Sequence, residues 1–285
     1  MAKIIVLLQA EDRKGLLASV VNYFYSEGFN ILHCQQHTDS YEDMYYMRIE
    51  LDGDDLKTSR RDFEKQFAEF ATPLGFKFSC HWTDYKARVA ILVSKTSHCL
   101  FDLISRNIEG ELKCEIPVII SNHPDLEKVA NQFRIPYYYF PVGDDKKKQE
   151  EQIMQILKRF DIDLVVLARY MQILSSEFTD KWSGKIINIH HAFLPAFQGA
   201  NPYLRAYQRG VKMIGATAHY ATEDLDKGPI IEQDVVRVNH ELTPNGLKEV
   251  GKDVERRVLA RAVQAHLENR IIIHCNRTIV FNVER

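Results

Sequence analysis

The stretch Lys185–His191, KIINIHH, is an apolar run closed by two adjacent histidines, and the turn residues of AFLPAF (192–197) follow it directly. In a strand, successive side chains point to opposite faces, so Asn188 and His190 share one face while Ile187, Ile189 and His191 share the other. The same rhythm extends to either side. RVAILVS (88–94), IPVIISN (116–122), PYYYFPV (136–142), IDLVVLAR (162–169) and MIGATAHYA (213–221) are short apolar runs, most of them separated by helical patterns. Strands alternating with helices predict an α/β domain with an open, mostly parallel sheet and helices on both faces. PIIEQDVVRV (229–238) predicts a late antiparallel strand. A long helix from about 244 to 267 and a hairpin in RIIIHCNRTIVF (270–281) finish the pattern.

The first third has a different order. KIIVLL (3–8) is a buried strand, DRKG (12–15) turns into a helix over 16–27, and FNILHCQQHT (29–38) and DMYYMRIEL (43–51) are two further strands. A helix over 59–70 and the strand FKFSCHW (76–82) complete βαββαβ, the ferredoxin-like split unit. The rhythm changes between Thr83 and Ala87, which predicts two domains, 1–84 and 85–285. No low-complexity linker or internal repeat interrupts the chain.

Composition narrows the function classes. With 45% hydrophobic residues, 27% charged residues and a formal net charge of -2, the chain has the balance of a globular protein and no overall basic field for nucleic acid. The Lys146-Lys147-Lys148 run is followed by Glu150 and Glu151 and reads as a solvated helix face. Five cysteines are scattered without a C-x-x-C pair, which points to a reducing compartment. The N-terminus lacks a signal-peptide pattern and no apolar run reaches the length of a membrane span, so the expected location is cytoplasmic.

If KIINIHH is a parallel strand, His190 stands at its carboxyl end, where open α/β sheets bind ligands. An amide and an imidazole there can donate hydrogen bonds to an oxygen that becomes negative during attack on a carbonyl. The stretch HYATEDLDKGPIIEQD (219–234) comes off the end of MIGATAHYA and is expected to hold the Asp226 carboxylate at the same edge, where it would orient the imidazole. On the residues alone, a hydrogen-bonded structural histidine and a plain β-turn in DKGP remain open alternatives. A metal is not expected, because neighbouring strand histidines diverge and no H-E-x-x-H or clustered Cys/His spacing supplies further ligands.

N-I-H-x-x-x-L-P-x-F (188–197), G-A-x-P-Y (199–203), H-Y-x-T-E-x-L-D-x-G-P-I-I (219–231) and M-x-I-L-S (171–175) together resemble the folate-dependent formyltransferase family over about residues 88–285. The resemblance implies a Rossmann-like formyltransferase domain with Asn188, His190 and Asp226 as catalytic residues. It also implies that Met171, Ile173 and Leu174 form the folate-binding wall. Residues 1–85, with D-R-x-G-L-L (12–17) and G-F-N-I (28–31), resemble the ACT domain, a regulatory module that often binds amino acids between subunits. Asp12, Gly15 and Asn30 are the candidate effector residues, although Lys14 stands where many ACT domains have proline. A homo-oligomer, dimer or tetramer, is implied.

An ACT domain followed by a formyltransferase domain is similar to family members that hydrolyse 10-formyltetrahydrofolate to formate and tetrahydrofolate. These supply formate for purine synthesis and balance the one-carbon folate pools. Folate is then the substrate, water the acceptor, and no further cofactor is needed. The related glycinamide ribonucleotide formyltransferases cradle the acceptor's phosphate in a glycine-rich loop, but here SKTSHCLFDLI (94–104) has no glycine. His191 also stands where those transferases typically have proline, which makes it a candidate hydrolase-specific residue. Lys95 argues the other way, since a lysine can hold phosphate as a point charge. Formyl transfer to glycinamide ribonucleotide and a non-catalytic amino-acid sensor are the two competing readings.

Overall fold

The computed structural model describes residues 2–143, 145–196 and 201–282. The first unit contains β1 (Lys3–Glu11), α1 (Leu16–Ser26), β2 (Ile31–Asp39), β3 (Met44–Asp52), α2 (Arg60–Ala71) and β4 (Lys77–Trp82). Its sheet is antiparallel with the order β2-β3-β1-β4, the topology expected of βαββαβ. Gly15 opens α1 at φ 92, a conformation glycine adopts without a Cβ penalty. Ser59 caps α2 by accepting from the Asp62 N–H at 3.1 Å while its hydroxyl donates to the Asp62 carboxylate at 2.6 Å. Ile4, Val6 and Leu8 pack with Val20, Phe24 and Phe67. Burying each such phenylalanine contributes about 2–3 kcal/mol.

The second unit contains β5 (Ala87–Val93), α3 (His98–Ile108), β6 (Cys114–Ser121), α4 (Glu127–Gln132), β7 (Tyr137–Tyr139), α5 (Lys146–Arg159) and β8 (Leu164–Leu167). It continues with α6 (Ser176–Lys181), β9 (Ile186–His190), α7 (Pro202–Arg209), β10 (Met213–Tyr220), β11 (Ile230–Arg237) and α8 (Pro244–Leu267). The sheet order is β11-β10-β9-β8-β5-β6-β7. Strands β5 to β9 are mutually parallel, and the winding direction reverses between β5 and β8, which opens a crevice beyond their carboxyl ends.

Three expectations need correction. β10, read above as one of the alternating parallel run, pairs antiparallel with β9, while β11 pairs antiparallel with β10, in line with the late antiparallel strand expected there. An apolar run fixes burial but carries no direction. Second, the chain after 85 does not all belong to the second unit: Glu268–His274 and the chain from Ile279 onward belong to the first, while Cys275–Thr278 belong to the second. The reason is the uncovered face of the antiparallel sheet. Ile5, Leu7 and Tyr46 point away from α1 and α2 and are buried by Ile272 and Phe281, which come from the hairpin of β12 (Ile271–His274) and β13 (Arg277–Val280) and its C-terminal flank. On that face the buried Arg48 donates to the carbonyls of Asn269 at 2.9 Å and Glu268 at 3.2 Å. Third, the three lysines and Glu151 are exposed on α5, but Glu150 turns inward and is 5% exposed.

Candidate active site

Asn188 and His190 lie two residues apart on β9 and so share a face. The antiparallel register sets His219 opposite Asn188 and Thr217 opposite His190. Buried Thr217 accepts from the Leu194 N–H at 3.0 Å and donates to the Ala192 carbonyl at 2.9 Å, which anchors the turn that follows β9. Phe197, Gly199 and Ala200 of the motifs quoted above lie outside the described residues.

Asp226 reaches this face by a route the strand pattern did not predict. Because β10 is antiparallel, Tyr220 ends beside Ile187, at the start of β9 and away from His190. The loop then doubles back, with the Tyr220 N–H donating to the Pro229 carbonyl at 2.9 Å. Gly228 permits that return: a Cβ there would lie 1.8 Å from the Tyr220 carbonyl oxygen. Asp226 takes a left-handed backbone at φ 58, a conformation aspartate tolerates better than most residues. Its Oδ2 lies 3.1 Å from His190 Nδ1, and its Oδ1 lies 3.6 Å from His219 Nε2. Burial works to raise the Asp226 carboxyl, but hydrogen bonds and charge from His190 and His219 outweigh it and hold the group well below the usual carboxylate range.

His219 Nδ1 faces the Tyr220 carbonyl at 2.9 Å and must carry the proton there. The Asn188 amide nitrogen meets His219 Nε2 at 3.2 Å, which sets the rotation of that amide. His190 Nε2 is buried and has no partner among the described residues. Asn188, His190 and Asp226 all line one cavity of about 600 Å³. His191 lines it too, contrary to the alternation argument. The strand stops at His190, so His191 lies past the ladder and its ring sits 5.3 Å from that of His190. Burial, and then the Arg169 charge, push the His191 imidazole down to about 3.

The segment expected to bind folate forms another wall. Met171 and Ile173 are each 56% exposed within the lining, whereas Leu174 is buried at 8% and joins the core from the cavity's inner side. Both ends of this loop are tied. Ser94, buried after β5, accepts from the Met171 N–H at 2.9 Å and donates to Asn122 Oδ1 at 2.6 Å, while Glu150 accepts from the Ser175 N–H at 2.9 Å.

A further part of the cavity lining was not anticipated from sequence. Glu255 on α8 is 1% exposed and accepts from His98 at 2.8 Å and from the Tyr203 hydroxyl at 2.5 Å. Arg169 Nε lies 3.5 Å away, as an ion pair without hydrogen-bond geometry. Burial raises Glu255, yet His98, Arg169 and Tyr203 together bring it below its ordinary value. Gly251 makes the packing feasible, since a Cβ there would sit 2.1 Å from the Tyr203 hydroxyl. His98, Cys99 and Glu255 offer ligand-type atoms within 4.8 Å of one another. Burial and the Glu255 charge push the Cys99 thiol up, and both Glu255 oxygens already accept hydrogen bonds, so the arrangement is that of a hydrogen-bonded carboxylate. Lys95 is exposed and does not line the cavity, while Thr96 and His98 do.

In the first unit, Asp12 and Gly15 sit where β3 begins, with the Asp12 N–H donating to the Asp43 carbonyl at 2.7 Å. Asn30 sits where β3 ends, its carbonyl accepting from the Asp52 N–H at 3.0 Å. A single chain therefore does not bring these three residues together, because α1 runs the length of the sheet between them.

Residues 87–263 match the formyl transferase family, and residues 4–68 match the ACT domain family. The chain is 48% identical to the formyltetrahydrofolate deformylase of Synechocystis over 97% of each chain. It resembles the crystal structure of a formyltetrahydrofolate deformylase from Pseudomonas syringae with a TM-score of 0.96, at 41% identity, over 99% of this chain and 95% of that one. Glycinamide ribonucleotide transformylase 1 from Symbiobacterium toebii is a more distant match, with a TM-score of 0.66 and 27% identity, covering 69% of this chain and 95% of that chain.

Proposed function

The chain belongs to the formyltetrahydrofolate deformylase family, and we infer from that membership that it hydrolyses 10-formyltetrahydrofolate, with Asn188, His190 and Asp226 carrying the reaction. The observation that supports this assignment of roles is the His190 ring, tied to Asp226 through Nδ1 and presenting an unpartnered Nε2 to the cavity. Water attacks the formyl carbon and the carbonyl oxygen becomes an oxyanion. Asn188 and His190 donate to it as the tetrahedral intermediate forms. When the C–N bond breaks, the folate nitrogen takes a proton by way of His190 or a relayed water, and formic acid loses its proton to leave formate. Asp226 orients the ring, and its negative charge stabilises the protonated form in which Nε2 carries the proton it donates.

Met171, Ile173 and Leu174 wall the folate. His191, neutral and facing the same cavity, is placed to accept a hydrogen bond from the attacking water, which is a role proline cannot fill. The exposed Lys95 and the glycine-free 94–104 stretch favour water over a phosphorylated acceptor. The test is purified protein with 10-formyltetrahydrofolate alone: formate should appear at the same rate with or without glycinamide ribonucleotide, and strict dependence on that acceptor would sink the reading.

Two further readings rest on the first unit. An amino-acid effector contacting both Asp12–Gly15 and Asn30 needs a second copy of the chain, and β2 is an edge strand with mostly exposed side chains. Both points support a homo-oligomer, dimer or tetramer. Light scattering that shows only monomer at micromolar concentration would remove it. A cytoplasmic location is supported by five free cysteines and by the lack, among the described residues, of any helix long and apolar enough to cross a membrane.

A further inference from the structure

Three groups that line the cavity carry donor or acceptor atoms without a hydrogen-bond partner among the described residues. His190 Nε2, His98 Nδ1, and Arg169 Nε and Nη1 are all buried without a hydrogen-bond partner among the described residues. The first belongs to the reaction centre described above. The others do not, although His98 and Arg169 line the same cavity. A buried donor left unpaired costs about 1–3 kcal/mol, so two unpaired N–H groups on one guanidinium call for an occupant. Arg169 also sits at φ 63, directly beyond β8, where a left-handed backbone carries strain for a non-glycine residue. Strain and unpaired donors therefore coincide at one residue beside the chemistry.

Charge and size identify the occupant. Arg169 and His98 share a single carboxylate, Glu255, whose oxygens are already held by His98 and the Tyr203 hydroxyl. Arg169 thus keeps attraction for a further negative group. Glu255, ionised and adjacent, limits that attraction: a dianion beside it would be repelled where a monoanion is tolerated. The planar guanidinium fork matches the two oxygens of a carboxylate. The Arg169 charge acts on His191, whose ring sits 5.3 Å from that of His190, so His191 links this subsite to the reaction centre. Tyr203, seated against Gly251, narrows it.

We propose that Arg169, with His98 beside it, forms a subsite for the formate product, taking the small monovalent carboxylate as it leaves the carbon attacked beside His190. The proposal rests on the hydrolase reading for the source of its ligand. The site itself is defined by a buried cation with unpaired donors, so the two can fail separately.

The experiment titrates ¹³C-formate into the full-length, folate-free protein and follows line broadening, while turnover of 10-formyltetrahydrofolate is assayed in parallel. Saturable binding is expected, weakened about tenfold to hundredfold in Arg169→Gln, the scale of a hydrogen bond to a charged group. Arg169→Lys, which keeps the charge but loses the fork, should lie between. Neutral formamide should not displace formate, and inorganic phosphate should bind more weakly than formate. Absence of saturable binding, unchanged affinity in both variants, equal competition by formamide, or tighter binding of phosphate would each overturn the proposal. Should neither variant fold, the Arg169 Nε–H signal of the wild-type protein decides, because it must shift on formate addition. If transfer rather than hydrolysis is found but formate still binds through Arg169, the functional reading fails and the subsite stands.

Discussion

His190 and Asp226 meet through one nitrogen and one oxygen, Nδ1 and Oδ2 at 3.1 Å, and this contact leaves the opposite ring nitrogen buried and without a partner among the described residues. An imidazole held in this way presents one defined atom to the cavity. In Asp226→Asn the neutral amide no longer stabilises the protonated ring that donates from Nε2. The expected loss is about 10²–10⁴-fold in kcat, on the scale seen when a triad carboxylate is replaced, with little change in KM for the folate. Formate-release kinetics measure it, and near-normal kcat would remove the orienting role.

Asn188 meets His219 Nε2 through its amide nitrogen and faces the cavity with that amide. Replacing it by alanine should lower kcat by about 10²-fold or more, the usual scale for one oxyanion donor. A loss confined to KM would show that the amide binds ground state and transition state alike.

His191 is buried neutral, pushed down to about 3, and unfolding returns it to an ordinary value of 6.5. Between those values the unfolded chain binds more protons, so stability falls as the pH falls. Asp226 acts in a lower window. Its carboxyl is depressed in the folded state, so its contribution is complete above the unfolded value of 3.8 and is lost as the pH drops through the folded one. Urea midpoints measured at successive pH values below 6.5 should therefore fall less steeply in His191→Gln than in the wild type. Parallel slopes would mean that His191 is not held neutral.

Ser94→Ala would leave the Met171 N–H and Asn122 Oδ1 without their partner. The expected cost is about 1–3 kcal/mol in a denaturation experiment, together with a raised KM, because the loop carrying Met171 and Ile173 loses one of its ties. A fall in kcat at unchanged KM would place Ser94 in a different role.

Gly15→Val meets no steric obstacle, since a Cβ there has nothing within 4 Å, but it must hold φ near 92. The strain of a left-handed conformation, about 1–2 kcal/mol, should lower the melting temperature of the first unit while leaving formate release intact. Equal loss of turnover would tie the two units more closely than the proposed division of roles allows.

The readable and unreadable parts of this molecule separate along physical lines. Alternation within β9 put Asn188 and His190 on one face, and α2 over Arg60–Ala71 lies within a residue of the helix expected over 59–70, because both follow from contacts within a few residues. The direction of β10 was not readable, since Ile214, Ala216 and Ala218 are buried whichever way the strand runs. His219 went without a role for the same reason, although it stood in a quoted motif: its pairing with Asn188 exists only in the antiparallel register. Arg169, His98, Tyr203 and Glu255 come from four separate places in the chain, and no local pattern marks an ionised carboxylate that is to be buried on α8. Glu150 read as one charge in a solvated run because the serine that uses it lies 25 residues away.

The hairpin that covers Ile5, Leu7 and Tyr46 also sets an order of assembly during synthesis. Residues 1–85 leave the ribosome first, yet one face of their sheet stays bare until Ile272 and Phe281 follow. At the usual pace of translation that interval is roughly 10–40 s. Throughout it the nascent first unit exposes an apolar surface and the buried Arg48 lacks its Asn269 and Glu268 carbonyls. The part of the protein made earliest is thus completed last, and a ribosome stalled short of residue 268 would carry a sheet open to chaperones and to neighbouring chains.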